Sequence, residues 1–304
     1  AKALWLTYIG LTAAGTVALK LAGMSWFDAM CHTFSTISLG GFSTRDTGVG
    51  YFDSPLIEFV LIVIMTLAAM NFARHFTAIR RLTLKPYRDD PEVRGVLIAL
   101  STSVLFIAVL LTVSGTYPSF LTSLRHAAFN VVSVATTTGL VSQNYDLWPV
   151  FAPLWMLFLS SIVCSTGSTG GGIKMFRTLM LMRQAAREMK LLVHPSAMIP
   201  VRIGGVVIPD RIAYSVLAFI FLYFQAIMAL TFLLLLSGME MVPALSSVVA
   251  SINNMGPGIG PTGPAGNYQG LTDFQTWICT IAMLLGRLEI FSVLILFTAA
   301  FWRK

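Results

Sequence analysis

Six apolar stretches dominate the chain, most of them close to the roughly 20 residues that an α-helix needs to cross a 30 Å hydrocarbon core. They run over Ala3 to Ala22, Pro55 to Phe72, Val96 to Val113, Pro149 to Val163, Ile212 to Leu236 and Thr276 to Phe301. The fourth is short and needs its continuation. Hydrophobic residues make up 56% of the chain and charged residues 11%, where a soluble domain carries roughly a quarter charged. The bilayer is therefore the expected solvent and the fold class is an all-α membrane protein.

The net charge of +7 invites a nucleic-acid reading. That reading needs a basic face interleaved with exposed aromatics, whereas here the basic residues cluster between apolar runs. Arg74, Arg80, Arg81, Lys85, Arg88 and Arg94 fill one loop, and Lys174, Arg177, Arg183, Arg187, Lys190, Arg202 and Arg211 another, with Arg303 and Lys304 at the end. An excess of Lys and Arg marks cytoplasmic connections. By alternation the regions containing Asp28, Asp46, Asp53, Asp146, Glu240 and Asp273 lie outside, where an acidic mouth concentrates cations. The chain starts at Ala1 without an initiator Met or leader pattern, which reads as truncation at the front.

The outer connections are too apolar for ordinary loops. Trp26 to Ser38, Phe120 to Thr136 and Met241 to Ile252 would each make about 18 to 25 Å of helix, too short to cross. Each is expected to enter the membrane as a half-helix and turn back. The strips that follow align as His32-Thr-Phe-Ser-Thr-Ile-Ser-Leu-Gly-Gly41-Phe42, Asn130-Val-Val-Ser-Val-Ala-Thr-Thr-Thr-Gly139-Leu140 and Ser247-Val-Val-Ala-Ser-Ile-Asn-Asn-Met-Gly256-Pro257. A glycine falls at the same place in all three, at spacings of 98 and 117 residues.

One such glycine alone is most simply a helix C-cap. Three in register, each after a half-length apolar segment, point instead to a repeated helix, re-entrant loop, helix unit. Irregular backbone at membrane depth is tolerated only inside protein or along a watery cavity. Glycine lets carbonyl oxygens turn to an axis, where they replace an ion's hydration shell. Half-helices entering from outside also bring their partially negative C-terminal ends toward the centre. Both effects favour a cation.

On the strips Ser38-Leu39-Gly40-Gly41-Phe42, Thr136-Thr137-Thr138-Gly139-Leu140 and Asn253-Asn254-Met255-Gly256-Pro257-Gly258, the sequence resembles the Trk/Ktr/HKT superfamily of K⁺ transporters, most closely its bacterial TrkH branch. The resemblance covers the whole chain. It implies pseudo-fourfold, K⁺-channel-like helix, pore loop, helix repeats, with three of four repeats present. Residues 1–75 would be the second pore repeat, 76–94 a cytoplasmic loop, 95–190 the third repeat with a broken second helix, 191–210 a cytoplasmic loop and 211–304 the fourth repeat. The first repeat and any earlier helices would be absent.

The resemblance also implies ion-binding filter carbonyls at Leu39, Gly40, Gly41, Phe42, Thr137, Thr138, Gly139, Leu140, Asn254, Met255, Gly256 and Pro257. The permeant ion would be K⁺, held by backbone carbonyls with no organic cofactor. Plant relatives that pass Na⁺ carry Ser at one filter glycine, whereas the three visible positions here are glycine. The implied partners are a TrkA-like cytosolic nucleotide-binding regulatory subunit and a second copy of the chain, in a bacterial inner membrane.

A continuous helix from Trp148 to Met182 would be about 50 Å long. Its middle is Ser165, Thr166, Gly167, Ser168, Thr169, Gly170, Gly171 and Gly172, and each Gly costs a helix about 1 kcal/mol relative to Ala. A break within the membrane is expected. A phosphate-binding loop would need Lys where Ile173 stands. A small-residue packing face through Gly167 and Gly171 remains open, but consecutive glycines suit a flexible loop in the permeation path better. In the resembling superfamily this segment is an intramembrane loop that obstructs the pore.

Arg287 is centred in the last apolar stretch, where a charge costs at least about 2.5 kcal/mol on insertion scales. It must find acceptors, either a carboxylate such as Glu289 or carbonyls of the 165–172 loop, which it would latch. Lys174 either faces the cavity or, more in keeping with the basic cluster after it, snorkels to the inner interface. Cys31, Cys164 and Cys279 read as small buried residues. His32, His75, His126 and His194 show no ligand or triad spacing, so an enzyme is not expected. The competing function is an ion-coupled secondary transporter moving K⁺ with H⁺ or Na⁺ by alternating access.

Overall fold

The computed structural model describes residues 2–303; Ala1, where the expected second pore repeat begins, and Lys304, in the last basic cluster, lie outside the described residues. Helices in three successive units make the fold. The first unit contains α1 (Lys2–Leu21), the half-helix α2 (Trp26–Ile37), α3 (Pro55–Ala68) and α4 (Phe72–Arg81), and α5 (Lys85–Arg88) leads out of it. The second contains α6 (Pro91–Val113), the half-helix α7 (Phe120–Ala135), α8 (Phe151–Ile162) and α9 (Met175–Val193). A small antiparallel hairpin, β1 (Arg202–Ile203) with β2 (Val206–Val207), precedes the third unit. That unit is α10 (Asp210–Leu236), the half-helix α11 (Met241–Ile252), α12 (Asp273–Arg287), α13 (Ile290–Leu294) and α14 (Ala299–Trp302). The protein is an all-α membrane protein built on repeated helix, pore loop, helix units.

Two of the three half-helices begin at a side-chain cap. Ser25 caps α2 by accepting from the Asp28 amide, and Ser119 caps α7 by accepting from the Thr122 amide, satisfying amides that a helix start leaves orphaned. At 12, 16 and 12 residues they match the half-length segments expected from sequence. Each is packed among the longer helices of its unit: α2 against α1 and α3, α7 against α6 and α8, and α11 against α10 and α12. Phe129, Val131 and Ala135 on α7 and Val248, Ala250 and Ile252 on α11 are completely enclosed.

The six predicted spans are not six straight helices. Helices α1, α6 and α10 are long and apolar enough to cross a membrane. The second predicted span turns by 100° between α3 and α4, and the last by 109° between α12 and α13. At the first turn Asn71 starts a new helix, its Oδ1 accepting from the Ala73 amide at 2.8 Å. At the second, Glu289 takes φ +59°, which an α-helix cannot contain. The remaining span is interrupted between α8 and α9, as the Ser/Thr/Gly run predicted. The second long helix of every unit thus breaks toward its basic end.

Candidate functional site

All three half-helices end in one backbone motif. The Leu39 amide returns to the Thr36 carbonyl at 3.2 Å and the Gly40 amide to Ser35 at 2.8 Å. The equivalent bonds are Thr137 to Val134 at 3.0 Å and Thr138 to Ser133 at 2.9 Å, then Asn254 to Ser251 and Met255 to Ala250, both at 2.9 Å. This is a Schellman closure, but its left-handed residue is not glycine. Leu39, Thr137 and Asn254 hold φ of +54°, +59° and +54°, at a cost of order 1–3 kcal/mol each. The aligned glycines stand two residues later, with φ of +72° at Gly41, +82° at Gly139 and +98° at Gly256. The caps are the residues before the glycines, and each glycine serves a second left-handed turn.

The strips lie edge to edge. A Cβ on Gly41 would collide with the Thr138 carbonyl, and one on Gly139 with the Met255 carbonyl. Any side chain there would force neighbouring strips apart. Among the described residues, no donor reaches the carbonyls of Leu39, Gly40, Gly41, Thr137, Thr138, Gly139, Asn254 or Met255, and the Gly256 carbonyl accepts from the Tyr268 hydroxyl at 2.7 Å. Leu39, Thr137, Thr138, Gly139 and Met255 are buried and Gly40, Gly41 and Asn254 half-buried; since buried carbonyls are almost always paired, this clustering of donor-free carbonyls marks a site shaped for something other than protein. Leu140 differs from its expected role, because the Ser133 hydroxyl occupies its carbonyl at 2.6 Å. Phe42 is 79% exposed and its carbonyl, like that of Pro257, has no donor among the described residues. A cavity of about 840 Å³ opens onto the first and third strips, touches Gly139 of the second and reaches Arg287.

Polar pins hold the return of each strip. His32 Nε2 meets the Ser43 hydroxyl at 3.0 Å, Asn130 Nδ2 donates to the Ser142 hydroxyl at 3.0 Å, and the Ser247 and Thr262 hydroxyls bond at 2.8 Å. His32, Asn130 and Ser247 occupy one register position, yet sequence reasoning assigned them no role. Their repetition at the head of each aligned strip was the available signal.

The segment between α8 and α9 lies against the inner ends of all three strips. The Thr169 hydroxyl donates to the Ile37 carbonyl at 2.9 Å, and the Gly171 amide to the Thr137 hydroxyl at 3.1 Å. A Cβ on Gly171 would strike the Asn253 carbonyl, and one on Gly170 the Cys164 sulfur. The loop is fastened on its other side by the Ser165 amide to Ala69 O at 2.9 Å and the Thr166 amide to Glu92 Oε2 at 2.7 Å. Arg287, in the last turn of α12, donates Nη1 to the Thr169 carbonyl at 3.0 Å. Glu289 instead pairs with Arg177 at 3.1 Å. Lys174 lines a second cavity, of about 320 Å³, with Gly170 to Gly172, Arg287 and Glu289, so it belongs to the cavity and not only to the basic interface.

The outer carboxylates are less free than the sequence implied. Asp28 accepts from the Thr44 hydroxyl at 2.6 Å and pairs with Arg45 at 3.3 Å. Arg125 pairs with Asp53 at 2.8 Å and makes a two-bond contact with the buried Glu58 at 2.8 and 3.0 Å. Asp146 accepts from the Gly260 amide at 3.1 Å, and burial raises its carboxyl above the ordinary range.

The whole chain, residues 1–304, matches the family model described as "TrkH: Cation transport protein". It is 44% identical over its full length to the Trk system potassium uptake protein TrkH of Halomonas elongata and 40% identical to that of Escherichia coli K12. It spans 62% of the length of each of those relatives. The crystal structure of the potassium transporter TrkH from Vibrio parahaemolyticus superposes with a TM-score of 0.95 at 41% identity, covering 99% of this chain and 64% of that one. On the repeated strips, their shared closures and these matches, the chain belongs to the TrkH family of cation transport proteins.

Proposed function

We propose that the full-length protein carries K⁺ into a bacterial cell across the inner membrane, by channel-like permeation between the Gly41, Gly139 and Gly256 strips. The observation that carries this reading is the set of eight carbonyls left without donors, among the described residues, on strips that pack against one another. Carbonyl oxygens in such a set can replace the water shell of an alkali cation. The 165–172 loop, bonded to the ends of the first two strips and packed against the third, acts as the gate, and Arg287 as its latch. The ion is the only ligand required, and no covalent chemistry is involved. A nucleotide-binding cytosolic subunit regulates the gate through the basic inner surface, and the protein works as a homodimer. The relatives' naming as parts of a Trk potassium uptake system supports K⁺ as cargo and further components as partners.

The test is ⁸⁶Rb⁺ uptake into vesicles containing the full-length protein, with Na⁺ as competitor. Permeation predicts uptake that follows the membrane potential and is poorly inhibited by Na⁺. Tight stoichiometric coupling to H⁺ or Na⁺ would favour the alternating-access reading instead.

A further inference from the structure

The three strips are alike in backbone but not in what touches their glycine carbonyls. Gly41 and Gly139 present carbonyls that no donor reaches among the described residues, while the Gly256 carbonyl accepts from the Tyr268 hydroxyl at 2.7 Å. Tyr268 comes from the connection between α11 and α12, twelve residues after Gly256. Its ring packs on the core formed by α10, α11 and α12. Burial raises its phenol to about 12, so at physiological pH it stays protonated and can only donate from its O–H to that carbonyl.

We propose that Tyr268 is a positioning residue for cation selectivity: its hydroxyl holds the Gly256 carbonyl in one orientation, so that the third strip cannot relax around an ion smaller than K⁺. The inference rests on the permeation reading above. A carbonyl has two lone pairs, so the tyrosine occupies one and leaves the other for the ion. Gly256 has φ of +98° and open space at its Cβ position, so neighbouring protein packs against it less than against Gly41 or Gly139. The anchored tyrosine hydroxyl supplies the restraint that packing supplies elsewhere.

The experiment measures the K⁺ to Na⁺ permeability ratio of the full-length protein in planar bilayers, comparing wild type, Tyr268→Phe and the exposed-residue control Tyr214→Phe. Removal of one neutral hydrogen bond predicts a ratio lowered about three- to tenfold in Tyr268→Phe, with the control at the wild-type value. A ratio is independent of how much folded protein is present, so partial loss of yield does not imitate the effect. Protein carrying 3-fluorotyrosine at 268, which keeps the ring and offers a stronger donor, is the second variant and is expected to hold the wild-type ratio or exceed it. A wild-type ratio in Tyr268→Phe, or an equally lowered one in the fluorotyrosine protein, overturns the proposal. Wild-type protein that passes no alkali cation would instead overturn the permeation reading itself.

Discussion

The Arg287 guanidinium donates Nη1 to the Thr169 carbonyl at 3.0 Å, joining residues 118 apart in the chain. The contact fastens the 165–172 loop to the last turn of α12 while the Thr169 hydroxyl holds the end of α2. Arg287→Ala is expected to raise ⁸⁶Rb⁺ flux through the full-length protein about three- to tenfold, the effect of losing a partly solvated charge-assisted bond. Flux that stays at the wild-type level in liposomes would remove Arg287 from the latch role.

Gly171 touches two strips at once, through its amide to Thr137 and its Cα beside the Asn253 carbonyl. Gly171→Ala places a methyl where that carbonyl stands, so the loop must move away from the strips. The expected result is a constitutive leak with a lower unfolding temperature. Gly10→Ala, with nothing within 4 Å of its Cβ position in α1, should leave flux unchanged and stabilise the helix by at most about 1 kcal/mol.

The Glu58 carboxylate is 4% exposed and bound through two contacts by Arg125, which is 25% exposed. Removing one partner strands a buried charge, which costs about 3–5 kcal/mol when both groups are buried. Arg125 without Glu58 would keep Asp53, whereas Arg125→Ala leaves the buried Glu58 carboxylate with no side-chain partner among the described residues and, discounted for the partly exposed arginine, should destabilise by about 2–3 kcal/mol. Thermal unfolding in detergent checks this, and the double variant Glu58→Met with Arg125→Met should recover part of the loss.

Asp146 titrates above the ordinary carboxylate value because burial disfavours its charged form, only partly offset by the Gly260 amide. A raised folded-state value means that folding favours the proton. Its stability contribution is complete below the unfolded value of about 4 and is lost as pH rises through the folded value. Asp146→Asn should therefore raise the unfolding temperature at pH 7. The gain should shrink as pH falls toward 4, so a difference that is flat with pH would contradict the assignment.

Much of the architecture was legible because hydrophobic length and cap chemistry are local. Trp26–Ile37 and Met241–Ile252 follow from apolar runs too short to cross, bounded by polar residues. The break after α8 follows from four glycines in eight residues. The bends at Asn71 and Glu289 were passed over although each falls on a polar residue, Asn71 a local helix cap and Glu289 two residues after Arg287; the reading followed overall apolar length, and the angle of each turn is set by packing. Arg287 looked central to a span because Leu288 and, apart from Ser292, Ile290 to Phe297 are apolar; in space the helix ends beside it. The site divides in the same way. Glycine register exposed the strips, but Tyr268 meeting Gly256 and Glu92 meeting Thr166 depend on loop paths that no short-range pattern encodes. The acidic mouth was overestimated because Arg45 and Arg125 find their carboxylates only after folding.

Each unit has one elbow, between α3 and α4, α8 and α9, and α12 and α13, toward its basic end. A straight rod would deliver any pull on its inner end directly to the outer half of the molecule; an elbow dissipates it locally. Traction on α9 therefore reaches the Ser165 to Gly172 segment first, while the strips stay braced by their own closures. Under the permeation reading proposed above, how often the conduit is unblocked and which ion it prefers would then be separately adjustable traits of one polypeptide.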